Sequence, residues 1–152
     1  MDDHDQDLQP GAAEGAVAGS RGGAILPAMT SVARLAWTAV DCRDPRTLAE
    51  FYSAITGWPI DESASDGDWV TLASDIGATL GFQRVDDYQP PQWPGQEHPQ
   101  QAHLDFELDD LDVGEAAVLA IGARKHAVQP GSLFRVYLDP EGHPFCLILP
   151  GG

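Results

Sequence analysis

The feature that most constrains this chain is a repetition: it runs through one order of elements twice. In the first pass, residues 35–40 (LAWTAV) read as a buried strand. Asp44 and Pro45 then mark a helix start, an N-cap carboxylate followed by a residue that needs no amide partner. Leu48, Phe51, Tyr52 and Ile55 recur at helical spacing, and Gly57 suits the left-handed position that stops a helix. Short strands are expected over 58–62, 68–73 and 78–85, parted by Asp66-Gly67 and by residues 75–77.

The second pass opens on an alternation over 102–108. Ala102, Leu104, Phe106 and Leu108 take one face, and His103, Asp105 and Glu107 the other. Asp109-Asp110 leads into a helix carrying Leu111, Val118, Leu119 and Ile121 and ending at Gly122. Strands follow over 124–128, 133–138 and 144–149, the last two joined by the turn Asp139-Pro140-Glu141-Gly142. The passes are in register: Trp37 stands seven residues before Asp44, and His103 seven before Asp110. The chain is therefore read as β-α-β-β-β over 32–85, a linker over 86–100, and β-α-β-β-β over 101–150.

These two modules suit a single folded domain over 32–152, and a chain of 152 residues needs no disulfide or metal merely to fold. Residues 1–31 are acidic, then Gly/Ala-rich, with too few large apolar side chains to offset ordering, and are expected to be a disordered tail. The net charge is −16, and the tail's five acids and one arginine leave −12 for the rest. So negative a surface excludes nucleic acid and anionic membranes as partners. No apolar run reaches the roughly 20 residues of a membrane span. Cys42 and Cys146 make no disulfide framework. Together with an acidic start that is no signal peptide, they point to a cytoplasmic protein. The segment holds Pro90, Pro91, Pro94, Gly95 and Pro99 and reads as a linker or a covering loop, with Trp93 either a lid over a ligand or packed on the outside.

Three stretches carry a resemblance to a known family: 40–52 (VDCRDPRTLAEFY) with Gly57-Trp58, 101–106 (QAHLDF) with Asp109-Asp110, and 137–145 (YLDPEGHPF). In this order and spacing the chain resembles the vicinal oxygen chelate superfamily of glyoxalases, bleomycin-resistance proteins and extradiol dioxygenases, and within it the actinobacterial glyoxalase-like group. The resemblance implies an α+β fold in which the two βαβββ modules pair into one curved mixed sheet around a cleft, with the helices outside. Metalloenzyme members hold a divalent ion through four ligands, one from the first and one from the last strand of each module. Those positions fall here on Trp37, Gln83, His103 and Cys146. Trp37 cannot ligate, so no metal is expected; the alternative is a divalent ion on Gln83, His103 and Cys146. The DPEG turn is read as structural.

Strand phase puts Trp37, Gln83, His103, Asp105, Tyr137 and Cys146 on the cleft side, with Arg135 either the cleft base or simply paired with the abundant acids. His103 is the candidate acid/base, since a free imidazole titrates near neutrality, and Asp105, two residues on, is placed to orient it. Trp37 and Tyr137 suit an aromatic wall. Gln83, Arg135, Cys146 and Trp93 complete the expected substrate contacts, although Cys146 reads first as an inert core thiol and Cys42 is read as structural. The functional expectation is a glyoxalase-like protein, enzymatic or not, with a metal-free small-molecule cleft centred on His103. One alternative is a bleomycin-resistance-type protein that sequesters a cationic antibiotic, drawn by the acidic charge. The other is a lyase, isomerase or dioxygenase with an atypical metal set. A homodimer is the expected assembly.

Overall fold

The helices form where their caps predict. In the computed structural model, which describes residues 33–151, α1 spans Pro45–Thr56. The Asp44 carboxylate accepts from the Thr47 amide at 3.1 Å and from its hydroxyl at 2.7 Å. These bonds hold the Asp44 carboxyl below its ordinary range. Gly57 ends the helix at φ 75°, a left-handed conformation that glycine adopts without a Cβ clash. Helix α2, Leu111–Ala120, starts the same way: Asp110 accepts from the amides of Asp112 and Val113. The expected tail over 1–31 lies outside the described residues.

Among the described residues seven strands accompany them: β1 Trp37–Cys42, β2 Trp69–Thr71, β3 Thr79–Arg84, β4 Leu104–Glu107, β5 Arg124–Lys125, β6 Phe134–Leu138 and β7 Pro144–Ile148. The first sheet has the order β1-β3-β2 and the second β4-β7-β6-β5. In each module the first strand lies parallel to the last, β1 to β3 and β4 to β7. The architecture is α+β with two strand–helix–strand modules, as the repetition implies. Its hydrogen-bonded ladders form two sheets of three and four strands, and no ladder joins them among the described residues.

Three expected strands are much shorter than the pattern suggested, and 68–73 keeps only Trp69–Thr71. Residues 58–62 contribute only the bridge Ile60↔Leu72, because Pro59 offers no amide and Asp61 caps a single 3-10 turn over Glu62–Ala64. The 124–128 strand stops at Lys125. Beyond it the Gln129 side chain takes over, accepting from the Val136 amide at 2.9 Å and donating to the Val136 carbonyl at 2.8 Å.

One core serves both modules. Tyr52 of α1 stacks on Phe82 of β3 at 5.5 Å and also meets Phe106 of β4 and Phe145 of β7. Phe51 adds an edge contact to Phe145 at 5.7 Å. Tyr52, Phe82 and Phe145 are essentially inaccessible to solvent. Each such side chain contributes roughly 1.5–3 kcal/mol by burial. Helix α1 thus packs on both sheets and leaves their other faces open.

Candidate functional site

Register decides which strand residues share a face. In the second sheet Asp105 pairs with Cys146, and Cys146 with Val136. These residues, with His103 just before β4, lie on the face away from α2. Leu104, Phe145 and Tyr137 form the next row and point the other way.

The open face brings three donors together. One ligand atom each from His103, Asp105 and Cys146 lies within 4.8 Å of the others. His103 Nε2 stands 3.5 Å from Asp105 Oδ1, and its Nδ1 lies 3.4 Å from the Gln100 side-chain amide nitrogen. The imidazole thus has a polar neighbour beside each ring nitrogen. The Gln100 Oε1 is buried without a partner. Amide oxygen and nitrogen exchange places at little cost, and the exchanged form would let Oε1 accept from Nδ1–H. Burial, and then the neighbouring Asp105 carboxylate, push the Cys146 thiol up to about 12. Cys146 is thus a neutral thiol at physiological pH, not a ready nucleophile.

His103 also lines a cavity of about 520 Å³ between β1 and β4. Its walls include Asp41 from β1, His143 and Pro144 from the start of β7, and Tyr88, Glu97 and His98 from the connecting loop. Residues of the 86–100 loop thus form part of the cavity wall. Trp93 is not its lid residue: it is half-buried with its ring edge-on to His126 at 4.9 Å and does not line the cavity.

The structure separates the other expected site residues. Tyr137 and Arg135 are corrected from the cleft to the helix face. The Tyr137 hydroxyl donates to Glu115 of α2 at 2.9 Å, and Arg135 binds Glu115 at 2.8 Å and Asp112 at 2.6 Å. Their polarity answers acids on α2, not a ligand. Lys125 first, then Tyr137 and Arg135, hold the Glu115 carboxyl below its usual range. Trp37 is half exposed on the open face of the first sheet and lines a different hollow from His103. Its neighbour there is Trp69, edge-on at 6.4 Å, whose ring lies where a Cβ on Gly81 would sit. Gln83 opens onto a third hollow with Trp69, Asp68 and Asp86. The cluster that gathers around His103 and Cys146 includes Asp105, while Gln83 lines a different hollow from His103.

Imidazole, carboxylate and thiol donors at this spacing fit a borderline ion such as zinc with an open fourth position. Cys42, by contrast, is wholly inaccessible, its thiol raised to about 12 chiefly by burial, and it donates to the Gln83 carbonyl at 3.5 Å. It is a core thiol.

Sequence reasoning missed a second constellation. Asp139 is fully buried in the turn before β7. Its Oδ2 accepts from the Tyr52 hydroxyl at 2.9 Å and lies 2.7 Å from His143 Nδ1. Its Oδ1 accepts from the amides of Glu141 and His143. The turn is structural, as read, and it also presents a carboxylate-held imidazole to the cavity. The signal available was Asp139 and His143 four residues apart around Gly142.

The glyoxalase-like domain family matches residues 37–148. The chain belongs to that family. Solved structures support the same fold. A glyoxalase/bleomycin resistance protein/dioxygenase family enzyme from Burkholderia phytofirmans PsJN aligns with a TM-score of 0.60 at 18% identity, covering 77% of this chain and 98% of that one. A glyoxalase-related enzyme from Fulvimarina pelagi gives 0.56 at 17%, covering 76% and 87%. A glyoxalase/bleomycin resistance protein from Albidiferax ferrireducens T118 gives 0.52 at 21%, covering 76% and 97%. At these identities the likeness speaks for fold alone. Comparison with curated proteins gave no match. No helix of this glyoxalase-like chain, among the described residues, is long and apolar enough to cross a membrane.

Proposed function

We propose that this glyoxalase-like protein binds a small organic molecule in the cavity between β1 and β4 and that His103 is its proton-transfer group. The observation that carries the reading is that His103 lines the cavity and pairs with Asp105 on the same strand edge. A carboxylate beside an imidazole orients the ring and its tautomer, which is what a positioned general acid/base requires. A volume of about 520 Å³ suits a metabolite-sized ligand. The reaction class that goes with this site is proton transfer next to a carbonyl, as in a lyase or isomerase.

A second reading is favoured by the three-donor cluster. A divalent ion on His103, Asp105 and Cys146 would supply Lewis-acid polarisation of a substrate oxygen. His103, Asp105 and Cys146 would hold the ion, and Gln100 would steady His103 from behind. Sequestration of a cationic antibiotic rests on the acidic charge and becomes one arm of the test. A cytoplasmic homodimer belongs to the same proposal. Its support is the group Leu35, Trp37 and Ile76, each more than half exposed at one end of the first module.

The test has two arms. Protein incubated with manganese, iron, nickel or zinc and freed of unbound ion is assayed for metal by mass spectrometry, with His103→Ala beside it. Neutral carbonyl compounds, aromatic metabolites and cationic antibiotics are then screened by thermal shift against both proteins. The leading reading expects no stoichiometric metal and a carbonyl ligand whose stabilisation His103→Ala removes. About one ion per chain, lost in His103→Ala, moves the site to the metal reading. Ligand binding unchanged in His103→Ala sinks the role of His103.

A further inference from the structure

His143 Nε2 has two neighbours that ask opposite things of it. The backbone carbonyl of Asp41, on β1, lies at 2.8 Å and can only accept a hydrogen bond. The Tyr88 hydroxyl, from the covering loop, also lies at 2.8 Å and carries a proton it can donate. On the other side of the ring, Nδ1 is committed to Asp139 at 2.7 Å. Asp139 accepts from two backbone amides and from Tyr52, a donor set that fits its ionised form, so Nδ1 carries a hydrogen in either state of the ring. All the choice is left at Nε2.

With His143 neutral, the Nε2 lone pair accepts from Tyr88 and faces the Asp41 carbonyl unfavourably. With His143 protonated, Nε2–H serves the Asp41 carbonyl, and the Tyr88 hydroxyl hydrogen is released. Both Tyr88 and His143 line the cavity. We propose that Tyr88 is a ligand-contacting residue of this cavity, donating to an acceptor oxygen of the bound molecule, and that His143, held by Asp139, is the positioning residue whose protonation frees it. The ligand class is a compound presenting a carbonyl-type oxygen, and its binding is coupled to uptake of one proton from solvent at His143 Nε2. No covalent bond other than that N–H is made. This rests on the reading of the cavity as a small-molecule site, and it assigns residues on the wall that His103 does not use.

The charged surroundings are mixed, so the titration must be read on the residue itself. Asp139 faces His143 from its own turn, Tyr52 reaches it through Asp139 from α1, and Tyr88 from the loop. Beyond them stand Glu141, paired with Arg43 at 3.5 Å, and the Asp41 carboxylate and Cys42 thiol of β1. Across the cavity are Asp87, Glu97, His98 and His103. Burial, and then Asp139, raise the Tyr88 phenol well above its ordinary value, so Tyr88 stays a donor throughout.

The experiment follows the His143 ring nitrogens by 15N NMR from pH 5 to 9 in the wild type, Tyr88→Phe and His143→Gln, the last of which assigns the signal. Tyr88→Phe removes the donor to the neutral ring, while the Asp41 carbonyl still serves the protonated one. The titration midpoint should therefore rise by about 0.4–1.1 pH units, one hydrogen bond of about 0.5–1.5 kcal/mol converted at 1.36 kcal/mol per unit. A midpoint unmoved or lowered, or a ring in one protonation state throughout, overturns the proposal. Acetophenone and ethylbenzene, alike except for the carbonyl, form the ligand arm. Acetophenone should bind roughly threefold to tenfold more tightly when His143 is protonated, ethylbenzene equally at each pH, and the difference should vanish in Tyr88→Phe and in His143→Gln. A dependence on pH that survives both substitutions overturns it. Binding of neither compound, or of any other in the thermal-shift screen, sinks the small-molecule reading and the ligand role of Tyr88 with it. In that case an upward midpoint shift would stand as evidence for the Nε2 choice alone.

Discussion

The open faces of the two sheets share a topology and differ in chemistry. At the first-strand position the first module has Trp37 and the second His103, each seven residues before its helix cap. Across the first sheet the face continues through Ala39, Gly81 and the ring of Trp69, an aromatic surface over small residues. Across the second it continues through Asp105 and Cys146, a cluster of donors. Both helices start on an aspartate and stop near a glycine. Backbone frame and open-face chemistry are thus separable: caps and turns build the module, and a few alternate strand positions decide what it can hold.

The largest expected effect tests whether the modules are one folding unit. Phe82→Ala in β3 and Phe145→Ala in β7 should each cost about 3–5 kcal/mol, because both rings pack on Tyr52. Denaturant unfolding followed by tryptophan fluorescence and by far-UV circular dichroism should give one coincident transition for each variant. Two separated transitions would split the shared core. The next contrast lies within the aromatic face. Gly81→Ala puts a methyl group where the Trp69 ring lies, and should cost about 1–3 kcal/mol and red-shift tryptophan emission as the ring is displaced. An unchanged spectrum would mean that the platform gives way elsewhere.

Smaller effects compare the caps. Asp44→Ala and Asp110→Ala should each lose about 1 kcal/mol of stability in urea titrations. Tyr137→Phe should cost about 0.5–1.5 kcal/mol by removing the bond to Glu115, yet leave ligand and metal binding untouched. Loss of binding in that variant would return Tyr137 to the open face. The mildest expectation concerns pH. Asp44 and Glu115 both titrate below their ordinary values when folded, so their stabilisation is fully present above the unfolded carboxylate range near pH 4 and fades as pH falls through the folded values. Urea midpoints between pH 7 and 3 should therefore decline on the acid side, and less steeply in Asp44→Asn.

Much of this was legible because local chemistry speaks for local structure. Asp44-Pro45, Asp110, Gly57 and Gly122 mark the helix ends, and the alternation at 103–107 correctly separates His103 and Asp105 from Leu104 and Phe106. The alternation of Arg135 with Tyr137 was equally plain, but which face it addressed was not. A polar row suggests a cleft, and only the packing of α2, whose Asp112 and Glu115 carboxylates reach Arg135 and Tyr137, shows that the row faces a helix. Gln83 and Trp93 carry no local mark of the hollow or neighbour they reach.

By itself the sequence determines two modules, their helix boundaries and the placing of His103 beside Asp105, since caps, turns and period-two patterning act over a few residues. Tertiary structure decides the rest. The β4–β7 register sets Cys146 against Asp105, 41 positions apart, and the β6–β7 register turns Tyr137 away from both. The meeting of His143 with Tyr88 and the Asp41 carbonyl spans 55 and 102 positions. Contacts of that span depend on how the whole core closes around Tyr52, and no short-range preference encodes them.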